Sequence, residues 1–438
     1  MIKNLVLGLA ILSISSTLTA QSVSVDNGGA TVTPDGQWTT RVTFYSPSIV
    51  RVSKYPGATA PDKKSYSVIM QPESVTLGTE RKANGVTLKS SSLTASIGAD
   101  GNVRFSDSKG NLLLSESASS HAPCVNKVDE GRFKVSQSYN LDSAEVIFGL
   151  GQRQSPVLNQ RGQDVRMWCG NTNITIPYFT SDKGYGLYWD NAGDSRFTDI
   201  DNIASFTSEV APSIDYYFIY RDGTQDGVIA GIRSLTGEAT MFPIWTLGHW
   251  QCRERYKSSD ELCDVLDRYR ALEIPLDGMV QDWQYWGCDS NWNAMKFVNP
   301  HYINKMGDAK WMRYLPNDED PNAVYPDPRI KSPEEMVSYV HDNNSKLMIS
   351  IWANFGPWTD QYRELDKIGA LLPFETWPRN RGVRPYDPFN PKARDIYWKY
   401  LTNLYKMGID AWWTDSTEPD HFEAPGDADY MTHDGSWR

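Results

Sequence analysis

In the stretch Lys406-Met407-Gly408-Ile409-Asp410-Ala411-Trp412-Trp413-Thr414-Asp415-Ser416-Thr417-Glu418-Pro419, a helical pattern stops at Gly408, a short apolar run follows, and a carboxylate stands where that run ends. Asp415 then occupies the C-terminal tip of a strand, the place where a parallel α/β barrel carries its catalytic groups. Trp412 and Trp413 precede it, and Glu418 follows three residues on. An ionised carboxylate among aromatic rings suits nucleophilic attack on a sugar acetal. A strand-end Asp that caps the following turn accounts for the same residues without chemistry. The stretch by itself leaves both readings open.

Upstream, from Phe242, strand and helix patterns alternate, which is the sign of a parallel sheet. Ile244 to Trp250 reads as a first strand. Ser258 or Ser259 caps a helix through about Leu272, with Leu262, Val265, Leu266 and Tyr269 on one face. Gly278 to Gln281 is a second strand and ends at Asp282-Trp283-Gln284-Tyr285-Trp286, a second carboxylate beside indoles. A polar insertion rich in Asn, Asp and Pro runs from Gly287 to about Lys331. Ser332-Pro333-Glu334-Glu335 is a capping box with Pro at the first helical position, opening a helix to about Asn343. Lys346 to Ile351 is a third strand, ending at Trp352-Ala353-Asn354. A short helix near Thr359 to Ile368 intervenes. Asn390-Pro391 opens a further helix closed by Gly408, and Ile409 to Thr414 is the fourth strand. Four units pointing one way, with Asp282, Trp352 and Asp415 at their tips, predict the first four strands of a (β/α)8 TIM barrel over residues 242–438. A doubly wound sheet would want a Gly-rich phosphate loop after a strand. No such motif occurs.

Residues 22–241 have a different grammar, with short alternating runs broken by turn signals. Trp38 to Phe44, Val68-Ile69-Met70 and Leu93 to Ile97 are such runs, and Asp100-Gly101 with Asp107-Ser108-Lys109-Gly110 brackets a hairpin element at Val103-Arg104-Phe105. No segment here shows a sustained 3.6-residue period, so the expectation is an antiparallel β-sandwich. Lys183 to Asn191 reads as a turn into an exposed edge strand.

The 438 residues carry 40% hydrophobic and 22% charged side chains, as a globular chain of two or three domains does. The formal net charge of −11 disfavours nucleic acid or an anionic membrane surface as partner. With 16 Trp and 23 Tyr, the chain is rich in rings that stack on sugars, although cores use rings too. Residues 1–21 read as a signal peptide, with Lys3, an apolar run from Leu5 to Ile14, and Leu18-Thr19-Ala20 before Gln21. The apolar part is too short for a stable membrane span. Export to the periplasm or the exterior, with cleavage near Ala20, is expected. Cys124, Cys169, Cys252, Cys263 and Cys288 allow one disulfide but no framework, and no Cys or His cluster has metal-ligand spacing. Neither a metal nor another cofactor is expected.

Taken together, Lys183 to Asn191, Arg255 to Trp286, Tyr325 to Asn354 and Gly408 to Pro419 resemble glycoside hydrolase family 31, most closely its exported α-xylosidase branch found in Bacteroidetes. The strongest carriers are Ile274-Pro275-Leu276-Asp277 leading to Gln281 through Trp286, and Trp412 through Pro419. The resemblance implies an N-terminal β-sandwich before the barrel and retaining exo-action on terminal α-linked xylose or glucose of oligosaccharides. It puts Asp415 at the nucleophile position, with Glu418 as the supporting acidic residue that follows. It puts Asp282 where sugar hydroxyls are hydrogen-bonded, with Trp352 and Trp413 lining the pocket and Trp283 beside Asp282 among the substrate-binding residues. A retaining glycosidase also needs a protonated acid about 5–5.5 Å from its nucleophile.

Two departures stand against the resemblance. Several relatives send an Asp from the N-terminal domain into the site, where this chain reads Trp168-Cys169-Gly170-Asn171. The family's acid/base lies in a Trp-Ser-Gly-Asp-like segment well beyond the nucleophile, whereas this sequence runs only to Arg438; Asp427, Asp429 and Asp434 read as loop residues instead. The expectation is therefore a fragment of an α-glycosidase, inactive as it stands. The alternative is a non-catalytic carbohydrate-binding or degenerate protein, which has no need of the attacking carboxylate at Asp415.

Overall fold

The computed structural model describes residues 22–34, 38–82, 85–125, 127–170, 172–324 and 326–418. The expected signal peptide, the end of the 406–419 stretch at Pro419, and Asp427, Asp429 and Asp434 lie outside the described residues.

Strands from Ser22 to Ile219 form two antiparallel sheets of eight and nine strands. The alternating runs make them, because successive side chains of a strand face opposite sides. In Leu93–Gly98, for example, every second residue is buried. The inner faces meet through rings: Phe105 stacks on Phe218 with centroids 4.0 Å apart, and Trp189 on Phe206 at 5.5 Å.

Three expectations for this part are corrected. The strand Gly186–Trp189 is not an exposed edge; it pairs with Tyr178–Ser181 on one side and Ile214–Ile219 on the other, and all four residues are buried. The reason is a helix, Gln225–Thr236, which the alternation had hidden. It is capped by Thr224 and packs Leu235 with Tyr188, Tyr217 and Ile219 on the outer face of the sheet. Val68-Ile69-Met70 forms no strand. Its Ile69 and Met70 N–H groups donate to the carbonyl of Leu235 (3.1 and 3.2 Å), near the end of that helix, where carbonyls lack partners.

From Trp250 the elements are β1 (Trp250–Gln251), α1 (Ser259–Ala271), β2 (Gly278–Gln281), α2 (Pro333–Asp342), β3 (Lys346–Trp352), α3 (Asp360–Lys367), α4 (Pro391–Met407) and β4 (Ala411–Asp415). The strands are parallel in the order β1-β2-β3-β4, and no closed barrel forms among the described residues. Ser258, Ser332, Thr359 and Asn390 cap α1 to α4 through side-chain acceptors, and Asp308 caps a further short helix, Ala309–Met312, in the insertion. Met279, Leu347, Ile349 and Ile351 turn to the helix side and join Leu262, Leu266, Met336 and Leu404 in one core. The first strand is shorter than expected. Ile244–Leu247 is a 3₁₀ turn with exposed apolar side chains, and pairing starts only at Trp250.

The insertion after β2 is not a loose loop. Trp292, Ala294, Met295 and Tyr302 are fully buried in the same core. Asn293 Nδ2 donates to the carbonyls of Trp352 (2.7 Å) and Asn354 (3.0 Å), and Gln361 Nε2 to that of Ala294 (2.7 Å). All five cysteines are free thiols, so the disulfide that the count allowed does not form; Cys263 is buried, as its place in α1 led us to expect.

Gly408 closes α4 in the left-handed region (φ 105°, ψ 18°) and starts the turn into β4. A Cβ there is disfavoured by about 1–2 kcal/mol. Gly408→Ala should lower the urea midpoint of the strand–helix part correspondingly, and Gly408→Asn, which tolerates this conformation better, should cost less.

Candidate active site

Side-chain alternation sets the site. With Met279, Ile349, Ile351 and Trp412 turned to the helices, Asp282, Ser350, Trp352, Trp413 and Asp415 face the other side. Trp352 stands opposite Asp415 in the β3–β4 register, and Asp282 follows directly on β2, so two carboxylates flank the indole of the middle strand. Two strand spacings separate their backbones, about 10 Å.

Both carboxylates are more than half buried, and each is harder to ionise than a free one. Burial pushes Asp282 up to about 6; the Trp283 N–H, at 2.7 Å from Oδ1, favours the charged form, while the charge of Asp415 opposes it. Asp415 is also raised, first by burial, with the Ser416 N–H favouring its anion and the charge of Glu418 opposing it. Ser416 takes a positive φ of 44°, a bend that turns the chain away immediately after the carboxylate. Glu418 is exposed.

The aromatic residues are placed unequally. Trp352 is buried and meets Trp292 edge-on at 4.9 Å; Trp292 in turn lies 5.4 Å from Trp283. Trp283 is sandwiched further by the guanidinium of Arg255, 4.8 Å from its ring. Trp413 is 40% exposed and shares its face with Asp415. Asp282, Trp283, Trp352, Trp413 and Asp415 are therefore gathered at one end of the sheet, with Glu418 at its margin. Among the described residues of the Trp168-Cys169-Gly170-Asn171 loop, Trp168 and Cys169 are exposed.

Several residues at this end escaped the sequence reading. Glu254 lies close enough to Asp282 to raise its pKa, and the Cys252 thiol is pushed up by burial and then by the Asp282 charge. Both follow β1 by a few residues, a signal that a correctly placed strand end would have given. Trp292 and Asn293 carried no signal, because a polar stretch between elements conceals a wall of the site. No group of three or more potential metal-ligating side chains occurs among the described residues. No described helix is long and apolar enough to cross a membrane.

Two partly buried carboxylates at the tips of parallel strands, flanking an indole, define the class of protein: a parallel β/α protein whose strand ends carry groups suited to a glycoside. Comparison with known proteins makes this particular. Residues 39–197 match the glycosyl hydrolase 31 N-terminal galactose mutarotase-like domain, and residues 239–437 match the glycosyl hydrolases family 31 TIM-barrel domain. The chain belongs to glycosyl hydrolase family 31. It is 32% identical over 396 residues to an α-xylosidase of Saccharolobus solfataricus, a match covering 88% of this chain and 49% of that protein. It is 25% identical over 409 residues to α-glucosidase 2 of Bacillus thermoamyloliquefaciens, covering 87% and 47%. A family 31 α-xylosidase from a soil metagenome, solved in complex with xylose, superimposes with a TM-score of 0.80 at 21% identity, over 95% of this chain and 60% of that one. The chain thus spans about half the length of the curated relatives named here.

Because Asp282 keeps its proton to about pH 6 when folded but only to its ordinary 3.8 otherwise, the folded chain binds more protons between those values. This contribution to stability therefore falls as pH rises through that window. Asp282→Asn should remove it. The difference in urea midpoint between variant and wild type should move in the variant's favour from pH 4 to pH 7, and a constant difference would contradict the assignment.

Proposed function

We propose that this chain carries the nucleophile and the glycone side of a retaining α-glycoside hydrolase that removes terminal α-linked xylose, with glucose as the close alternative, from oligosaccharides. The observation that carries the reading is the placement of Asp282 and Asp415 at strand tips on either side of Trp352, both partly withdrawn from water. In this reading the Asp415 carboxylate attacks the anomeric carbon while the leaving oxygen takes a proton from an acid, giving a glycosyl ester on Asp415. Water then cleaves the ester, the same acid/base accepting its proton, and the sugar leaves with its configuration retained. We assign the acid/base to none of the described residues.

Asp282 would hold sugar hydroxyls. A carboxylate whose pKa lies near 6 exchanges between acceptor and donor close to neutral pH, which suits hydroxyl recognition. Trp352, Trp283 and Trp413 would supply the apolar wall, with Glu418 as the supporting acidic residue that follows Asp415. The relatives named as α-xylosidase and α-glucosidase 2 support both sugars. They differ by one hydroxymethyl group, worth about 10–200-fold in a wall of apolar contacts. We also read the protein as exported, on the strength of the Met1–Ala20 leader.

Asp415→Ala should abolish covalent labelling by an activated xylosyl fluoride, whose fluoride is a good leaving group, while xylose affinity persists. A 5-fluoro-xylosyl fluoride should label wild type at Asp415. An Asp415→Ala variant that turns over normally would overturn the assignment. A wild type that binds xylose but neither turns over nor becomes labelled would favour the binding protein. With turnover in hand, the α-xyloside should be preferred to the α-glucoside by about 10–200-fold in kcat/KM.

A further inference from the structure

The insertion after β2 carries a second set of rings that the strand-tip site does not use. Trp311 and Tyr314 lie with centroids 6.1 Å apart, and Tyr314 meets Trp358, from the segment after β3, at 6.4 Å and nearly edge-on. These rings are not core. Trp358 is 45% exposed, and Trp311 and Tyr314 are partly exposed. A row of half-exposed rings on a polar segment lacks the usual reason for burying aromatics and has one for contacting a ligand.

The row is tied to the chain that leaves β2 just past Asp282. Tyr314 packs so closely on the chain at Gly287, five residues past Asp282, that a Cβ on Gly287 would come within 2.0 Å of the Tyr314 carbonyl. Trp358 N–H donates to the Ser290 carbonyl (2.9 Å), and Asp289 N–H to Asn317 Oδ1 (2.9 Å). Arg255, which stacks on Trp283, reaches both Gln284 and Asp318 with its two terminal nitrogens, tying the insertion to the strand tips. Donors accompany the rings. The Arg313 guanidinium sits 4.6 Å from the Tyr314 ring and 5.7 Å from that of Trp358, and meets no carboxylate at ion-pair distance among the described residues. One terminal nitrogen of Arg313 donates to the Tyr314 hydroxyl, and rings for the apolar faces of pyranoses, with the remaining N–H donors of that guanidinium for hydroxyls, fit a neutral sugar chain.

We propose that Trp311, Tyr314 and Trp358 form a platform for the leaving-group sugars of the substrate, a neutral oligosaccharide whose terminal α-linked residue occupies the strand-tip site. The proposal rests on the glycosidase reading for that terminal residue, and the test separates the two. The full chain is titrated by calorimetry with xylose and with a neutral gluco-oligosaccharide bearing terminal α-xylose.

Wild type should bind the oligosaccharide about 10-fold or more tighter than xylose. Trp358→Ala should erase about 10-fold of oligosaccharide affinity and leave xylose affinity unchanged, and Trp358→Phe should restore most of the loss. The proposal is overturned if the oligosaccharide binds no tighter than xylose, if Trp358→Ala binds it as wild type does, or if the variant loses both ligands equally. Asp282→Ala reports on the other reading. Should it leave xylose binding intact, the glycone assignment fails, while the Trp358 comparison still decides the platform.

Discussion

The parallel register of β3 with β4, in which Trp352 stands opposite Asp415, is the constraint from which the site follows. A strand's side chains alternate, so a slip of one residue would turn Asp415 into the helix-side core and bring Thr414 to the open face. The register is protected by that core. Ile349 and Ile351 on β3 and Trp412 on β4 must meet the helices, which leaves Trp352, Trp413 and Asp415 no other side to face. The placement of these side chains is here a by-product of burying the opposite face. The loop carboxylate Asp282 joins them because β2 pairs with β3 as far as Gln281 and ends there.

A buried apolar layer fixes where strands lie, and polar groups fix how the loops meet them. Asn293 satisfies the carbonyls of Trp352 and Asn354, just where β3 ends and its ladder partners run out. Tyr285 does the same for the carbonyl of Ser350 (2.9 Å). Leaving such carbonyls unpaired in the interior costs about 1–3 kcal/mol each, so these side chains determine the path of the insertion as firmly as its rings do. The insertion is in consequence a wall, and its stretch 304–310 is mostly exposed.

Much of this was legible in the sequence, for local reasons. Caps at Ser258, Ser332, Thr359 and Asn390 and the stop at Gly408 are encoded by single residues whose effect does not depend on distant contacts. Strand ends at Gln281 and Asp415 were marked by a carboxylate following an apolar run. What escaped was decided at a distance. Gly186–Trp189 looks like half of an edge hairpin until the helix Gln225–Thr236 is laid across its outer face. The insertion looks polar by composition, yet its few rings are the residues that pack. The roles given to Asp282, Trp283, Trp352, Trp413, Asp415 and Glu418 came from resemblance. The structure adds their common placement, which the spacing of residues more than a hundred positions apart does not encode.

Electrostatics gives the arrangement its direction. Burial raises the cost of ionising both carboxylates, and the charge of Asp415 raises that of Asp282 further. Were both equally buried, they would compete for one proton without distinction. They are not equally burdened: Asp282, with the Trp283 N–H and the Ser350 hydroxyl favouring its anion, faces the charges of both Asp415 and Glu254, whereas Asp415 faces that of Glu418 alone. The imbalance favours the anion on Asp415 and the proton on Asp282. The division arises at the ends of two strands, Asp282 just past β2 and Asp415 on the last residue of β4.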